Sequence, residues 1–180
     1  MLNNSQSKTK RSNTIIYSNY TNNISKNNIF DIPINTDKNT SYKNKISIED
    51  FNIIKVLGTG SFGKVYLVNK DEIINKLIFK KYYAMKVLKK LDMIKRNKIK
   101  QTITEKNILQ QLDHPYILSL KYGFQDNSYI YLITDYCCGG ELFYHMSRVK
   151  RFNERAACFY TAQIVLALEY LHNKKILYKE

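Results

Sequence analysis

Three glycines, Gly58, Gly60 and Gly63, stand between two runs of strand-forming residues. The runs are Asn52–Leu57 before the glycines and Lys64–Val68 after them, and both are rich in β-branched and other apolar side chains. In a dinucleotide-binding fold such glycines open a helix, so the strand predicted here argues against that fold. Glycines let backbone amides approach phosphate oxygens that side chains would keep away. The pattern therefore predicts a flap over phosphates, with an ordinary hairpin loop as the alternative for this segment alone.

Lys86 is the second chemical signal, because it lies within a predicted third strand, Tyr82–Leu88. A lysine buried in a strand is costly without a partner. Glu105 lies in the predicted helix that follows and is the candidate carboxylate that would hold the lysine toward phosphates. A surface salt bridge of small value is the alternative interpretation.

The rest of the pattern predicts an α+β fold. A polar, lysine-rich connection at 69–81, a helix at 92–111, strands near 118–123 and 129–134, and helices near 141–148 and 154–173 are predicted. Ile103, Leu109 and Leu112 are expected to face the core from the first helix. Antiparallel strands with one inserted helix predict a five-stranded antiparallel lobe, followed by the first helices of an incomplete helical lobe.

Residues 1–47 differ in composition from the rest. The first 50 positions hold 11 Asn, 7 Ser and 5 Thr but no Gly, and no apolar period of 2 or 3.6 survives there. Such a segment buries too little apolar surface to offset its chain entropy, so we expect a disordered tail. A docking or phosphorylated arm is the alternative.

The net charge of +14 raises the question of an acidic partner. No DNA- or RNA-reading motif accompanies the lysines, so most of them are interpreted as compositional bias on a solvated surface. The three cysteines have no metal-ligand spacing and fit reduced thiols in a cytoplasmic or nuclear protein. No apolar run reaches transmembrane length.

Several motifs in order resemble a protein kinase. They are Leu57–Val65, Tyr83–Lys86, Glu105, Asp113–Ile117, Thr134–Tyr136, Gly139–Phe143 and Phe159–His172. The basic segment 92–100 and the last two motifs resemble the AGC group of serine/threonine kinases. The resemblance covers about 49–180 and implies a tail at 1–47, an N-terminal lobe at 48–135, a hinge at 135–140 and a partial C-terminal lobe at 141–180.

The resemblance implies roles for individual residues. Lys86 would contact the α- and β-phosphates of ATP and pair with Glu105. Thr134 would be the gatekeeper, and Asp135 and Cys137 would offer backbone groups to the adenine edge. The implied nucleotide-binding residues are Leu57, Gly58, Thr59, Gly60, Ser61, Phe62, Gly63, Val65, Ala84, Lys86, Thr134, Asp135, Cys137 and Glu141.

Further apolar and polar positions acquire roles in the same way. Glu141 would meet the ribose hydroxyls, and Leu142 is a candidate to lie below the adenine. Leu109, Leu120 and Tyr178 would stack in a hydrophobic spine that links the lobes. Simple core packing is the alternative for these apolar positions.

The pattern departs from the family at Tyr178-Lys179-Glu180. Kinases of this group have Tyr-Arg-Asp at this point, where the Asp orients the substrate hydroxyl. Glu180 would place its carboxylate one methylene farther out, and a misplacement of about 1 Å can cost about 100-fold in rate. The metal-binding residues of the family are not matched, so no Mg²⁺ ligand is assigned. A fragment of a longer kinase is favoured over a degenerate kinase.

Two functional hypotheses follow. The favoured one is a serine/threonine protein kinase that uses ATP and Mg²⁺ and acts on protein substrates, with the 180-residue chain itself expected to be inactive. The alternative is a pseudokinase that binds ATP or a partner without catalysis. A nucleic-acid binder is a third hypothesis, and only the positive charge supports it.

Overall fold

The computed structural model of the protein describes residues 14–16, 46–60 and 63–179. The strands are β1 (Thr14–Ile16), β2 (Asn52–Thr59), β3 (Gly63–Ile74), β4 (Leu77–Lys89), β5 (Leu120–Gln125), β6 (Tyr129–Asp135) and β7 (Leu177–Lys179). Five of them form one antiparallel sheet in the order β2-β3-β4-β6-β5. The five-stranded antiparallel lobe predicted from the sequence is confirmed.

The helices are α1 (Lys90–Lys95), α2 (Ile99–Gln111), α3 (Leu142–Val149) and α4 (Glu154–Asn173). The predicted single helix at 92–111 is wrong, because α1 and α2 are separate. The chain leaves the first helix at Asn97, which has a φ of 51°, and Lys98 N donates to Met93 O at 2.9 Å. Asparagine adopts this left-handed conformation more readily than most residues, so it ends a helix well.

The predicted connection at 69–81 is also wrong. Strands β3 and β4 continue through it, and their register runs without interruption from Gly63 opposite Leu88 to Ile74 opposite Leu77. Asn75 and Lys76 form the two-residue turn, with φ values of 52° and 66°. Two positive φ values give the turn that matches the twist of a hairpin. The apolar residues on both sides of that turn are a hairpin signal. The lysines among them led to the prediction of a polar connection.

The sheet has an apolar cluster on each face. On the outer face, the ring of Phe51 lies 5.6 Å from that of Tyr122 and 5.9 Å from that of Phe124. The full outer cluster is Phe51, Val68, Tyr83, Met85, Tyr122, Phe124, Tyr131 and Ile133. On the inner face, α1 and α2 cover the second cluster, which is Leu88, Met93, Leu120, Ile130 and Leu132 with Ile99 and Leu109 against it.

Helix α2 faces the core through Leu109, as expected, and also through residues that were not expected. Thr102, Lys106 and Ile108 are buried, whereas Ile103 and Leu109 are only partly buried. Leu112, which follows the helix, is buried as expected. Because the side chain of Lys106 is mostly enclosed, desolvation lowers its pKa.

The turn between β5 and β6 is organised by Asp126. Its Oδ1 accepts hydrogen bonds from the backbone N–H groups of Ser128 and Tyr129, both at 2.7 Å, and its Oδ2 accepts one from the Tyr131 hydroxyl at 2.7 Å. Lys90 Nζ donates to the Asp126 carbonyl oxygen at 2.6 Å. This turn therefore ties the start of α1 to the far end of the sheet.

Helix α4 begins where the sequence predicts. Asn153 caps it by accepting a hydrogen bond from Ala156 N at 2.9 Å. None of the residues of α3 or α4 is buried, although α4 is apolar around most of its circumference. The other predicted region, the tail at 1–47, lies mostly outside the described residues. From it, β1 pairs antiparallel with β7.

Candidate functional site

The inner face of the sheet is open where α2 does not cover it. In the register of β3 and β4, Val65 is opposite Lys86 and Leu67 is opposite Ala84. In the register of β4 and β6, Ala84 is opposite Thr134, and the Thr134 hydroxyl donates to the Ala84 carbonyl oxygen at 3.5 Å. Side chains opposite each other share a face of the sheet. Val65, Ala84, Lys86 and Thr134 therefore line one surface.

Lys86 and Glu105 form the charged centre of this surface. Lys86 Nζ lies 2.6 Å from Glu105 Oε1, which makes this a charge-assisted hydrogen bond. The two side chains are 39% and 31% exposed, respectively. The lysine is therefore less buried than the sequence argument assumed. The carboxylate fixes the ammonium group at the open face and leaves it donors for a ligand, because an ammonium has three.

The glycine-rich turn lies between β2 and β3. A Cβ on Gly63 would lie 1.8 Å from the Val87 carbonyl oxygen, so only glycine fits there. Nothing lies within 4 Å of where a Cβ on Gly58 would be. Gly60 N donates to the Gly63 carbonyl oxygen at 2.8 Å and closes the turn. Gly63 is thus required for strand packing, whereas Gly58 leaves open space beside the turn.

Three predicted residues of the site lie outside the described residues. They are Ser61, Phe62 and Glu180. Leu57 and Thr59 are exposed in β2. The assignment of Leu57, Thr59, Ser61 and Phe62 to nucleotide binding stays a prediction, and so does the catalytic assignment of Glu180.

The hinge follows β6. Asp135 pairs with Lys121 across the sheet at 3.0 Å, so its side chain is held by β5 while its backbone begins the hinge. Cys137 is exposed and has a free thiol. Gly140 has a φ of 75° and turns the chain into α3.

Glu141 stands immediately before α3. Its side chain is exposed and does not cap the helix, so it is available to another group. Its carbonyl oxygen accepts hydrogen bonds from Tyr144 N at 3.1 Å and His145 N at 3.4 Å. The ring of His145 also fixes the loop, because its Nε2 lies 2.5 Å from the Gly139 carbonyl oxygen.

A cavity of about 630 Å³ lies between the hinge and α4. Asp135, Cys137 and Leu142 line it on one side, and Ile164 and Leu168 line it on the other. The structure therefore places Leu142 next to the hinge. Of the three residues expected to stack between the lobes, Leu109 and Leu120 belong to the inner cluster, and the side chain of Tyr178 lies outside the described residues.

Sequence reasoning missed the tether between the sheet and α4. The Tyr170 hydroxyl accepts a hydrogen bond from Asp113 N at 3.1 Å, and the rings of His114 and Tyr170 lie 5.0 Å apart. A tyrosine near the end of a helix carries no sequence signal of a hydrogen-bond partner 57 residues away.

Comparison with known proteins shows that the chain is similar to protein kinases. The protein kinase domain matches residues 51–180 of the chain. Protein kinase 3 of Dictyostelium discoideum is 43% identical over 143 residues, which are 79% of this chain and 15% of that protein. The RAC family serine/threonine-protein kinase homolog of the same organism is 40% identical over 147 residues, or 82% of this chain and 32% of that protein.

Relatives outside that organism are similar to the same extent. Human RAC-beta serine/threonine-protein kinase is 42% identical over 136 residues, which are 76% of this chain and 27% of that protein. The chain thus spans between 15% and 32% of the length of these three curated relatives. The chain belongs to the protein kinase domain family, in its AGC group of serine/threonine kinases.

Kinases of this family generally use ATP and Mg²⁺ and act on proteins. The open inner face combines a fixed ammonium group with free space beside Gly58. The described residues contain no group of three His, Cys, Asp or Glu side chains able to hold a metal ion. We assign no step to the metal. Within the described part of the chain, no helix is long and apolar enough to cross a membrane.

Proposed function

We propose that this chain is the ATP-binding part of a serine/threonine protein kinase. The reaction is transfer of the γ-phosphoryl group of ATP to a Ser or Thr hydroxyl of a protein, which yields ADP and a phosphoprotein. The observation that carries the proposal is the bond between Lys86 Nζ and Glu105 Oε1 at 2.6 Å on the open face of the sheet. An ammonium group held by one carboxylate is suited to bind phosphate oxygens.

The phosphates would lie between the glycine-rich turn and Lys86. The open space at Gly58 allows the turn's backbone N–H groups to approach an anion. Lys86 would donate to phosphate oxygens while Glu105 holds its position. Because the positive charge is fixed before a ligand arrives, it needs little reorganisation on binding.

The adenine would lie farther along the same face. Val65 and Ala84 present small apolar side chains next to the buried Thr134. The backbone at Asp135 and Cys137 would bond the edge of the base, and the exposed Glu141 would bond the ribose hydroxyls. Leu142, in the cavity wall next to the hinge, would contact the base from the opposite side.

Titration of the 180-residue chain with a fluorescent ATP analogue tests this proposal. We expect weak binding that is insensitive to Mg²⁺, because no group of three His, Cys, Asp or Glu side chains able to hold a metal ion occurs among the described residues. Lys86→Met should weaken binding at least about tenfold, since charge-assisted hydrogen bonds contribute about 1.5–3 kcal/mol. Lys64→Met is the matched control, because Lys64 is exposed one position from Val65 and therefore on the other face of the strand. Equal affinities of both variants would contradict the proposed site.

Transfer is tested separately on Ser/Thr peptides. We expect no activity of the 180-residue chain above background, because Glu180 stands where the family has Asp. Activity that disappears in Lys86→Met would contradict this expectation and make Glu180 a working base.

A further inference from the structure

The hairpin formed by β3 and β4 extends beyond the sheet. Strand β2 pairs with β3 only as far as Asn69, and β6 pairs with β4 only as far as Tyr83. Among the described residues, the five pairs from Lys70 opposite Lys81 to Ile74 opposite Leu77 therefore form a two-stranded ribbon that pairs with no other strand. Strands rise about 3.3 Å per residue, so the ribbon projects roughly 16 Å from the sheet.

The end of this ribbon is apolar and in water. We call it the ribbon tip, and it consists of Ile73, Ile74, Leu77, Ile78 and Phe79 around the turn. Ile73 is 76% exposed, Ile78 is 70% exposed and Leu77 is 61% exposed. Contiguous exposure of this kind marks an interaction site more often than scattered apolar residues do.

Both faces of the ribbon tip are apolar. Ile73 and Ile78 are opposite each other on the inner face, and Ile74 and Leu77 are opposite each other on the outer face. A helix or a sheet that packed on the ribbon would cover one face and leave the other in water. An interface that surrounds the tip, such as the boundary between lipid headgroups and acyl chains, covers both.

Lysines stand directly behind the apolar residues and at the turn. Lys80 is on the inner face, Lys70 and Lys81 are on the outer face, and Lys76 is in the turn. The two acidic residues of the ribbon face cationic partners, because Asp71 is opposite Lys80 and Glu72 lies 3.7 Å from Lys81 Nζ. Lys76, Lys80 and Lys81 are exposed. Lysine stems can lie along apolar surface while their ammonium groups reach lipid phosphates.

The base of the ribbon is fixed to the sheet. Glu72 accepts a hydrogen bond from the Tyr83 hydroxyl, and Tyr83 is buried in the outer cluster. Lys70 Nζ lies 5.7 Å from the centre of the Tyr122 ring, and Lys81 Nζ lies 5.5 Å from the centre of the Tyr83 ring. These contacts hold the base of the ribbon against the sheet, while the side chains of the ribbon tip stay exposed.

We propose that the ribbon tip and its four lysines form a docking surface for an anionic lipid bilayer. The apolar side chains insert into the headgroup region, and the ammonium groups of Lys70, Lys76, Lys80 and Lys81 bind anionic headgroups. Charge complementarity selects this occupant over the ribbon tip of a second copy, because two tips packed together would bring their lysines close to each other and like charges repel.

A single-tryptophan reporter tests the proposal at the site itself, because the chain has no Trp. The 180-residue chain carrying Ile78→Trp is mixed with vesicles of phosphatidylcholine alone and with vesicles containing 30% phosphatidylserine. We expect a blue shift of emission and quenching by brominated lipid only with the anionic vesicles. Leu91→Trp is the matched control, because Leu91 is 59% exposed in α1 among basic residues, and its emission should not change.

Vesicle sedimentation of two double variants provides the second measurement. Ile73→Ser/Ile78→Ser should lower the partition coefficient by roughly tenfold or more, because two large apolar side chains no longer insert. Lys76→Gln/Lys80→Gln should lower it by about fivefold per lysine and reduce its salt dependence. Far-UV circular dichroism should match the unaltered chain, since all four side chains are exposed.

Three results would overturn the proposal. One is a shift of Leu91→Trp without a shift of Ile78→Trp, which would place binding at α1. Another is vesicle binding that is unchanged in both double variants, or no binding to anionic vesicles at all. The third is a dimer, seen by size exclusion, that Ile73→Ser/Ile78→Ser converts to a monomer while vesicles leave Ile78→Trp unchanged, which would make a second copy the occupant.

Discussion

The Tyr170 hydroxyl accepts a hydrogen bond from the backbone N–H of Asp113 across 3.1 Å, and the two residues are 57 positions apart. Tyr170 is in α4, whereas Asp113 follows α2 on the side of the sheet. The contact therefore links α4 to the segment that follows α2, the helix that carries Glu105. A tilted contact between the rings of Tyr170 and His114, with ring centres 5.0 Å apart, lies beside this hydrogen bond.

Tyr170→Phe should separate the contribution of the Tyr170 hydroxyl to stability from that of its ring. The ring contact with His114 is retained and the hydrogen bond is lost, so the free energy of unfolding should fall by about 0.5–1.5 kcal/mol. Urea unfolding of the 180-residue chain measures this. Tyr116→Phe is the control, because the Tyr116 ring also contacts His114 but its residue is exposed. An equal effect of the two substitutions would show that the Tyr170 hydroxyl does not contribute.

Two glycines of the same turn should respond differently to alanine. Gly63→Ala places a Cβ against the Val87 carbonyl oxygen, so the strands must separate and stability should fall by about 1–3 kcal/mol. Gly58→Ala meets no atom within 4 Å and should change stability by less than about 0.5 kcal/mol. Thermal unfolding gives both values. If the proposed site is correct, Gly58→Ala should nevertheless weaken binding of the ATP analogue, because the methyl group enters the space assigned to phosphate.

The strand boundaries were predictable because local signals agreed with the fold. The sequence predicts both ends of β6 to within one residue and the start of β2, although β2 continues two residues beyond the predicted Leu57. Both strands are rich in β-branched and other apolar residues. The sequence also predicts both ends of α4, where Asn153 is a favourable N-cap. Local propensity and tertiary packing lead to the same structure in these segments.

The failures have a different physical origin. The extension of β3 and β4 through 69–81 was missed because the many charged residues of this segment are typical of a loop, although apolar residues flank its turn. Helix α1 ends at Lys95 because Asn97, two positions later, is left-handed, and a periodic pattern does not register one such residue. In the site, the pairing of Tyr170 with Asp113 is a long-range contact, and no local pattern of either residue contains it.

Asp126 should make stability depend on pH. Partial desolvation acts to raise its pKa, but hydrogen bonds from Tyr131, Ser128 and Tyr129 and the charge of Lys90 outweigh it, so the pKa lies below the ordinary value of 3.8. A carboxyl whose pKa is lower in the folded state stabilises the fold above the unfolded-state pKa, and this contribution is lost as the pH falls through the folded-state pKa. The stabilising contribution of the Asp126 carboxylate is therefore complete above about pH 4 and declines below it.

Asp126→Asn tests this dependence. The stability difference between the unaltered chain and the variant should be constant near neutral pH and should shrink below about pH 4. Urea unfolding at several pH values measures it. Tyr131→Phe should show an intermediate dependence, because it removes the hydrogen bond to Oδ2 and keeps the two backbone hydrogen bonds to Oδ1. Parallel pH profiles of the unaltered chain and Asp126→Asn would contradict the assigned role.

Helix α4 should govern the solution behaviour of the 180-residue chain. It is apolar around most of its circumference, and none of its residues is buried. Phe159 and Leu166 are both exposed and lie seven positions apart, so they are on the same side of the helix two turns from each other. Each large apolar side chain left in water forgoes roughly 1.5–3 kcal/mol of burial. We therefore expect the chain to self-associate or to have a poorly protected α4.

Phe159→Gln/Leu166→Gln should shift the elution volume in size exclusion toward that of a 21.3 kDa monomer. Glutamine is used because it keeps a high helix propensity, so a change reports the loss of apolar surface and not the loss of the helix. Leu91→Gln/Ile94→Gln is the matched control, since both residues are exposed in α1, and it should leave the elution unchanged. A compact monomer with a well-protected α4 by hydrogen exchange, already present in the unaltered chain, would show that this face is covered by contacts among the chain's own residues.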